Sequence, residues 1–131
     1  MTGRELDDRG LSFTTMIVAM MPVFVVVSGL VVDGAAQASA TRHATVVAAQ
    51  AARTGADASA ASRLSGRSGD DPALSAARAA LSARGAQGLV DVEHGRLHVR
   101  VDEGVDTVFL GIVGIRRLRA HADVWADLTR E

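Results

Sequence analysis

Residues 11–32 form a run of 22 residues without a charged side chain, with Arg9 before it and Asp33 after it. As an α-helix this run is roughly 33 Å long, which matches a bilayer hydrocarbon thickness of about 30 Å. Twelve of its residues are Leu, Ile, Val or Phe. Each of them favours insertion by about 0.3–0.6 kcal/mol near the helix centre. The sequence therefore predicts one transmembrane helix, with a kink at Pro22.

A cleaved secretory signal is the alternative interpretation of this run. The apolar region of such a signal is shorter, and residues 32–34 (Val-Asp-Gly) do not resemble its small-residue cleavage site. An uncleaved signal-anchor is therefore favoured. Nearby charge does not orient the helix, because two arginines lie close to it on each side.

Residues 33–64 are rich in alanine and contain no proline, so they predict a helical extension that Gly34 and Gly55 weaken. A helix continuous from about residue 12 to residue 62 is roughly 76 Å long and projects beyond the bilayer. Alanines recur here every four residues, and such a low ridge lets another backbone approach closely. A surface for assembly and a chance pattern in an alanine-rich chain both remain open. The ridge consists of Ala36, Ala40, Ala44, Ala48, Ala52, Ala56 and Ala60.

A small domain is predicted over residues 65–131, after a short leader or cytoplasmic segment (1–10), the span (11–32) and the extension (33–64). Its first element is a helix over residues 72–84. Asp71 is placed as the N-cap before Pro72, and Gly85 as the glycine after the last turn.

Residues 89–93 and 96–101 alternate apolar and polar side chains around the turn His94-Gly95, which predicts a β-hairpin. This register makes one face apolar and matches charges on the other, which supports it more strongly than either pattern alone. The expected opposite pairs are Val92 with Leu97, Val90 with Val99, Glu93 with Arg96, and Asp91 with His98.

A third strand is predicted over residues 117–128, where apolar and polar residues alternate again. The apolar run at residues 108–115 is interpreted as a short helix or a tucked loop across the end of the sheet. The fold class that follows is α+β. It combines a long N-terminal transmembrane helix extended outside the bilayer, a short helix and a three-stranded antiparallel sheet covered by helix on its apolar face.

Composition excludes several function classes. The chain has 131 residues, which leaves little room for a second full domain or a deep catalytic cleft. Its 14 basic residues, all arginine, are balanced by 15 acidic ones, and this net charge of −1 gives no strong positive field for nucleic acid. Because there is no cysteine, disulfides, thiolate metal sites and cysteine nucleophiles are excluded.

None of the four histidines belongs to a zinc-protease motif, a Ser/His/Asp arrangement or a glycine-rich phosphate loop. If the third strand pairs beside the second, His98 and His121 share a polar face with Asp91 and Asp123, which is a conceivable metal site. Solvated charges are the commoner explanation of such a face. We therefore predict no catalytic residue, no metal, no cofactor and no small-molecule substrate.

Two single residues have open interpretations. Trp125 lies in the polar row of the third strand, where it contacts a partner or covers the sheet edge. Asp33 ends the membrane span, which is the favoured interpretation, or pairs with a charge on a neighbouring subunit.

Several residues in order resemble the amino-terminal region of TadE/TadG-like proteins of the Flp (tight adherence) pilus-assembly system. They are Arg9-Gly10, Pro22, the segment 29–34 (Gly-Leu-Val-Val-Asp-Gly), and the Ala-rich helix with Arg42 and Arg53. More loosely, the hairpin and residues 109–122 are similar to short actinobacterial members.

The resemblance implies a minor pilin or pseudopilin-like role in cell adhesion, with the helix in the cell membrane and the carboxyl-terminal domain outside. The implied partners are other pilus or pseudopilin subunits and the membrane assembly platform. A prepilin-type leader would be cut after Gly10, leaving Leu11 as the new amino terminus. Thr15 stands where the family has a glutamate, five residues after the cleavage glycine, and this favours the TadG-like branch.

The sequence leaves three candidate functions. The first is a non-enzymatic structural component of a Flp/Tad type IV-like pilus. The second is a generic single-pass envelope protein whose outer domain binds a partner without any filament. The third is a membrane-tethered metalloenzyme that uses His98 and His121, and it predicts stoichiometric metal binding.

Overall fold

The computed structural model describes residues 5–128, and side chains from residue 13 onward. Its elements confirm the predicted α+β class and the predicted element order. They are α1 (Glu5–Leu64), α2 (Asp70–Ser82), β1 (Gln87–Glu93), β2 (Arg96–Asp106), a 3-10 helix (Leu110–Val113) and β3 (Arg117–Asp127).

The helix α1 is continuous over 60 residues, as the sequence predicted for the span and its extension. Among the described residues, it is the one helix that is long and apolar enough to cross a membrane. Pro22 lies inside it and lacks the N–H that would bond to the carbonyl of Val18. The helix continues on both sides of Pro22, and the kink there stays a prediction.

The second half of α1 packs against the inner face of the sheet. Its buried side chains recur at helical spacing on one face, and most are alanine, so the sheet approaches the helix closely. Opposite them, alternate residues of β2 fill the core, because successive side chains of a strand point to opposite faces. The core includes Ala44, Val47, Ala48, Ala51 and Ala52 of α1, and Leu97, Val99 and Val101 of β2.

The sheet is antiparallel with strand order β1-β2-β3, and the predicted hairpin register is confirmed at all four expected pairs. His94 and Gly95 have φ angles of 51° and 74°. Positive φ at both central residues is the type I′ turn, whose twist matches that of the strands. The strand β2 continues to Asp106, five residues beyond the predicted end, because β3 pairs with it over its whole length.

The helix α2 begins at Asp70, two residues before the predicted start, and Asp71 is not its N-cap. Gly69 occupies that position, because it lies so close to Ser59 that an added Cβ would collide with the Ser59 hydroxyl. The first bond between turns runs from the Ala73 N–H to the Gly69 carbonyl at 3.0 Å. Pro72 therefore lies at a position whose N–H has no helical partner in any case.

The end of α2 carries the predicted terminal glycine. Gly85 has a φ of 63°, in the left-handed region. The N–H of Ala86 donates to the Leu81 carbonyl at 3.1 Å, and the N–H of Gly85 donates to the Ser82 carbonyl at 3.0 Å. This pair of bonds is a Schellman motif, which turns the chain from α2 into β1.

Candidate functional site

The strand β2 runs antiparallel to α1, and this fixes which end of the domain lies next to the apolar helix. Gly55 of α1 packs against Leu97 near the start of β2. His43, three turns earlier, lies 3.1 Å from Glu103 near the end of β2 (Nδ1 to Oε2). The β2–β3 loop then reaches Asp33. The hairpin turn is therefore distal to the predicted span, and the β2–β3 loop is proximal to it.

Asp33 holds this loop through a cluster that we name the loop latch: Gly29, Asp33, Val108, Phe109 and Leu110. Asp33 is only 2% exposed. One carboxylate oxygen accepts the N–H of Val108 at 2.9 Å, and the other accepts those of Phe109 (3.1 Å) and Leu110 (2.7 Å). Successive N–H groups at the start of a helical turn point the same way, so together they suit an anion.

Gly29 completes the loop latch one helical turn before Asp33. The ring of Phe109 lies against it so closely that an added Cβ would be 2.5 Å from the Phe109 Cγ. From the sequence, Asp33 was expected to end the span or to pair with a neighbouring subunit, and Gly29 had no expected role. The structure shows Asp33 bound to a loop of its own chain, 75 to 77 residues further on.

The outer face of the sheet, away from α1, carries the predicted row of charges. A group that we name the outer-face cluster lies at its centre: Asp91, His98, Arg100, Asp123 and Trp125. The two ring nitrogens of His98 lie 3.2 Å from Asp91 Oδ1 and 3.0 Å from Asp123 Oδ1. A neutral imidazole can donate to only one of these carboxylates, whereas an imidazolium donates to both.

Asp123 is the most heavily engaged carboxylate of the outer-face cluster. Arg100 Nε donates to its Oδ1 at 2.8 Å. This hydrogen bond, followed by that from His98, holds the pKa of Asp123 below its usual value of 3.8. The same bond raises the pKa of Arg100. The group therefore behaves as a charge-matched surface, and its described side chains include no activated nucleophile.

Trp125 lies on the edge strand β3 and is stacked on His98 of the neighbouring strand β2. Its ring lies 4.0 Å from the His98 ring, centroid to centroid, with 8° between the planes. The guanidinium of Arg96 lies 5.1 Å from the Trp125 ring centroid. Trp125 is 45% exposed. An aromatic ring that is fixed on one side and open on the other suits contact with a partner, and that role stays a prediction.

The histidines proposed for the metal site are separated by the sheet register. His98 is opposite Trp125, whereas His121 is opposite Asp102, four pairs further along. Asp91 and Asp123 face different nitrogens of His98, so the three side chains do not surround a common centre. Over residues 13–128, no three His, Asp or Glu side chains are grouped as metal ligands.

The alanine ridge divides into a covered middle and exposed ends. Ala44, Ala48 and Ala52 are buried in the chain's own core, whereas Ala36 and Ala60 are exposed. The middle of the ridge is therefore occupied by this chain's own sheet and is closed to a second subunit. Ala40 is also buried, and Ala56 is partly buried.

The predicted leader-processing site at Gly10 and Leu11 precedes the residues whose side chains the structure describes. Cleavage there stays a prediction. No family model, no curated protein and no solved structure matches this chain. The resemblance to TadE/TadG-like proteins accordingly remains an expectation from the sequence.

The Asp123→Asn variant is expected to lose part of the acid sensitivity of folding. Because the pKa of Asp123 is lower in the folded chain, its carboxylate stabilises the fold at pH values above its ordinary pKa. That contribution disappears as the pH falls through the folded pKa. The thermal unfolding midpoint of the full chain in detergent, measured from pH 6 down to pH 2 (about two units either side of the ordinary Asp pKa), should therefore fall less steeply in the variant.

The matched control for this variant is Asp127→Asn. Asp127 lies on the same strand and is exposed, and its replacement removes the same charge while leaving the hydrogen bonds of His98 and Arg100 to Asp123 in place. A pH profile for Asp123→Asn identical to that of the wild type would contradict the role assigned to Asp123.

Proposed function

We propose that this chain is a membrane-anchored, non-enzymatic structural component of a Flp/Tad type IV-like pilus, as a minor pilin or pseudopilin-like assembly factor. The proposal rests on one observation: residues 13–32 of α1 expose apolar side chains all round, whereas one face of the second half of α1 is buried under the chain's own domain. A helix that is apolar on every side needs lipid or other helices around it. The exposed set includes Phe13, Ile17, Met21, Phe24, Val26, Leu30 and Val31.

The join between the apolar helix and the domain supports an assembly role. No break in α1 separates Asp33 from the buried residues that begin at Ala40, and the loop latch ties the span-proximal end of the domain to the same helix. The domain is therefore held in one orientation relative to the span. A fixed orientation suits a subunit that stacks with others, and a flexible Gly/Ser-rich linker in place of the helix would not provide it.

The location and partners follow from the same proposal. The chain is a single-pass protein of the cell membrane, with its carboxyl-terminal domain outside the cell. Its partners are the lipid bilayer, other pilus or pseudopilin subunits and the membrane assembly platform.

Deleting the gene is expected to remove or shorten the surface pili of the cell, because an assembly factor or minor subunit controls initiation or length. Electron microscopy of the deletion strain, and of the same strain with the wild-type gene restored, measures this directly. Filaments of unchanged number and length in the deletion strain would contradict the proposal.

A generic envelope protein is the second candidate, and the half-exposed Trp125 on the outer-face cluster favours it. In that case the outer domain binds a different envelope protein or the wall. Crosslinking in intact membranes followed by pull-down separates the two functions. Recovery of pilus subunits and platform proteins supports the first, and recovery of an unrelated envelope protein supports the second.

A further inference from the structure

The loop between β2 and β3 exposes apolar side chains at one end of the domain. Residues 108–115, which we name the apolar loop, contain no charge and form the 3-10 helix and its flanks. Ile112 is 80% exposed and Val113 is 73% exposed, and Val108 and Ile115 are exposed as well. Nothing in the described part of the chain covers these side chains, although Phe109 beside them is packed against α1.

The position of the apolar loop relative to the predicted span is fixed by the loop latch. Asp33 is the first charged residue after the span, and it binds three consecutive N–H groups of the loop. Phe109 lies on Gly29, which is inside the span by one helical turn, or about 6 Å. A loop held at these two residues lies at the depth where the span leaves the hydrocarbon.

The backbone of the apolar loop is largely satisfied from within the chain. At least six of its eight N–H groups are hydrogen-bonded: three to Asp33, and those of Ile112, Gly114 and Ile115 to carbonyls of the loop itself. The Thr107 hydroxyl donates to the Ile115 carbonyl. Internal satisfaction of backbone groups is what an apolar medium requires of a segment that enters it.

Basic residues follow the apolar loop directly, at Arg116 and Arg117. Arg116 is exposed, and Arg117 Nε lies 3.0 Å from Asp106 Oδ1. Apolar side chains next to arginines are typical of segments that lie at the boundary between acyl chains and anionic headgroups.

We propose that the apolar loop is a second membrane contact, which enters the lipid surface beside the end of the span and fixes the tilt of the domain on the bilayer. This inference rests on the proposed membrane anchor. The medium around the apolar loop is lipid, because Asp33 and Gly29 hold the loop against the end of the span, and because the arginines that follow it suit phosphate headgroups. A neighbouring protein over the same loop is the competing outcome of the test.

The sequence contains no cysteine, so a thiol-reactive label attaches only at the cysteine that is introduced. A nitroxide is attached to Ile112→Cys in the full-length chain, reconstituted in vesicles of phosphatidylcholine and phosphatidylglycerol. Its collision rates with oxygen, which concentrates in lipid, and with a water-soluble nickel chelate give its depth. Val18→Cys marks the span, and Leu64→Cys, exposed at the far end of α1, marks water.

The expected result is that the nickel chelate collides with the Ile112 label at least about threefold less often than with the Leu64 label, while oxygen collides more often. A span label in lipid together with an Ile112 label in water would overturn the inference and leave the anchor intact. Protection of the Ile112 label from both reagents would show a protein cover, and would also overturn it. A Val18 label in water would overturn the proposed anchor itself.

A second variant tests whether the loop latch sets this depth. Asp33→Ala removes the acceptor of three N–H groups. It is expected to raise the collision rate of the Ile112 label with the nickel chelate toward that of the Leu64 label. Asp57→Ala, the same change at an exposed position of α1, is the matched control and should leave the depth unchanged. An unchanged depth in Asp33→Ala would contradict the positioning role of Asp33.

Discussion

A Gly55→Val substitution is expected to destabilise the domain by about 3 kcal/mol, which is at the upper end of the usual cost of overpacking a core. Gly55 lies where α1, α2 and the sheet meet. An added Cβ would collide with Leu97 Cδ2 and lie 2.8 Å from the Ala73 carbonyl oxygen. Leu97 is fully buried and the carbonyl belongs to the backbone of α2, so neither can move aside cheaply.

The measurement is denaturant unfolding of the full chain in detergent, followed by the fluorescence of Trp125. This is the one tryptophan of the chain, and it lies on β3, so its signal reports the sheet. The control is Gly34→Val in the same helix, where an added Cβ meets nothing within 4 Å. Equal midpoints for the two variants would contradict the packing described for Gly55.

The double variant Val23→Arg/Val26→Arg is expected to release the chain from the membrane. Both valines are exposed in the middle of the predicted span. Two arginines near the centre of a span cost roughly 5–7 kcal/mol, which is comparable to the total gain from its apolar residues. The control Val23→Leu/Val26→Leu keeps the apolar character and should stay in the membrane fraction.

The released double variant should still fold, because its domain does not use these two valines. Trp125 fluorescence of the soluble fraction checks this. Full retention of the double-arginine variant in the membrane would show that residues 11–32 are not what holds the chain there.

The local parts of the fold were predictable from the sequence. The hairpin register follows from pairs such as Val90 with Val99 and Asp91 with His98, because both faces had to match at once. Gly85 was also predictable, because a left-handed residue after the end of a helix favours glycine. In both cases the deciding residues lie close together in the chain.

The predicted start of α2 was wrong by two residues, because tertiary packing determines where this helix begins. Asp71-Pro72 has the local signature of a helix start, but the close approach of Ser59 selects Gly69 as the cap. Nothing near Gly69 in the sequence indicates that contact. The alanine ridge was ambiguous in a similar way, since the same spacing serves a second subunit or, as Ala48 shows, the chain's own sheet.

The loop latch was missed because its parts are far apart in sequence. Asp33 binds N–H groups more than 70 residues away, and Phe109 selects Gly29 by contact alone. The available signals were a single charge after a long apolar run and a second apolar run at residues 108–115. Neither feature of the sequence indicates contact with the other, so only the folded structure shows that Asp33 and the run at residues 108–115 are in contact.

Alkaline extraction of membranes that contain the full-length wild-type chain tests the membrane anchor most directly. Carbonate strips peripheral proteins, whereas a chain anchored by residues 11–32 should remain in the pellet until detergent dissolves the bilayer. Recovery of the intact chain as a dissolved monomer in the carbonate supernatant, without detergent, would contradict the anchor and with it the proposed role in assembly.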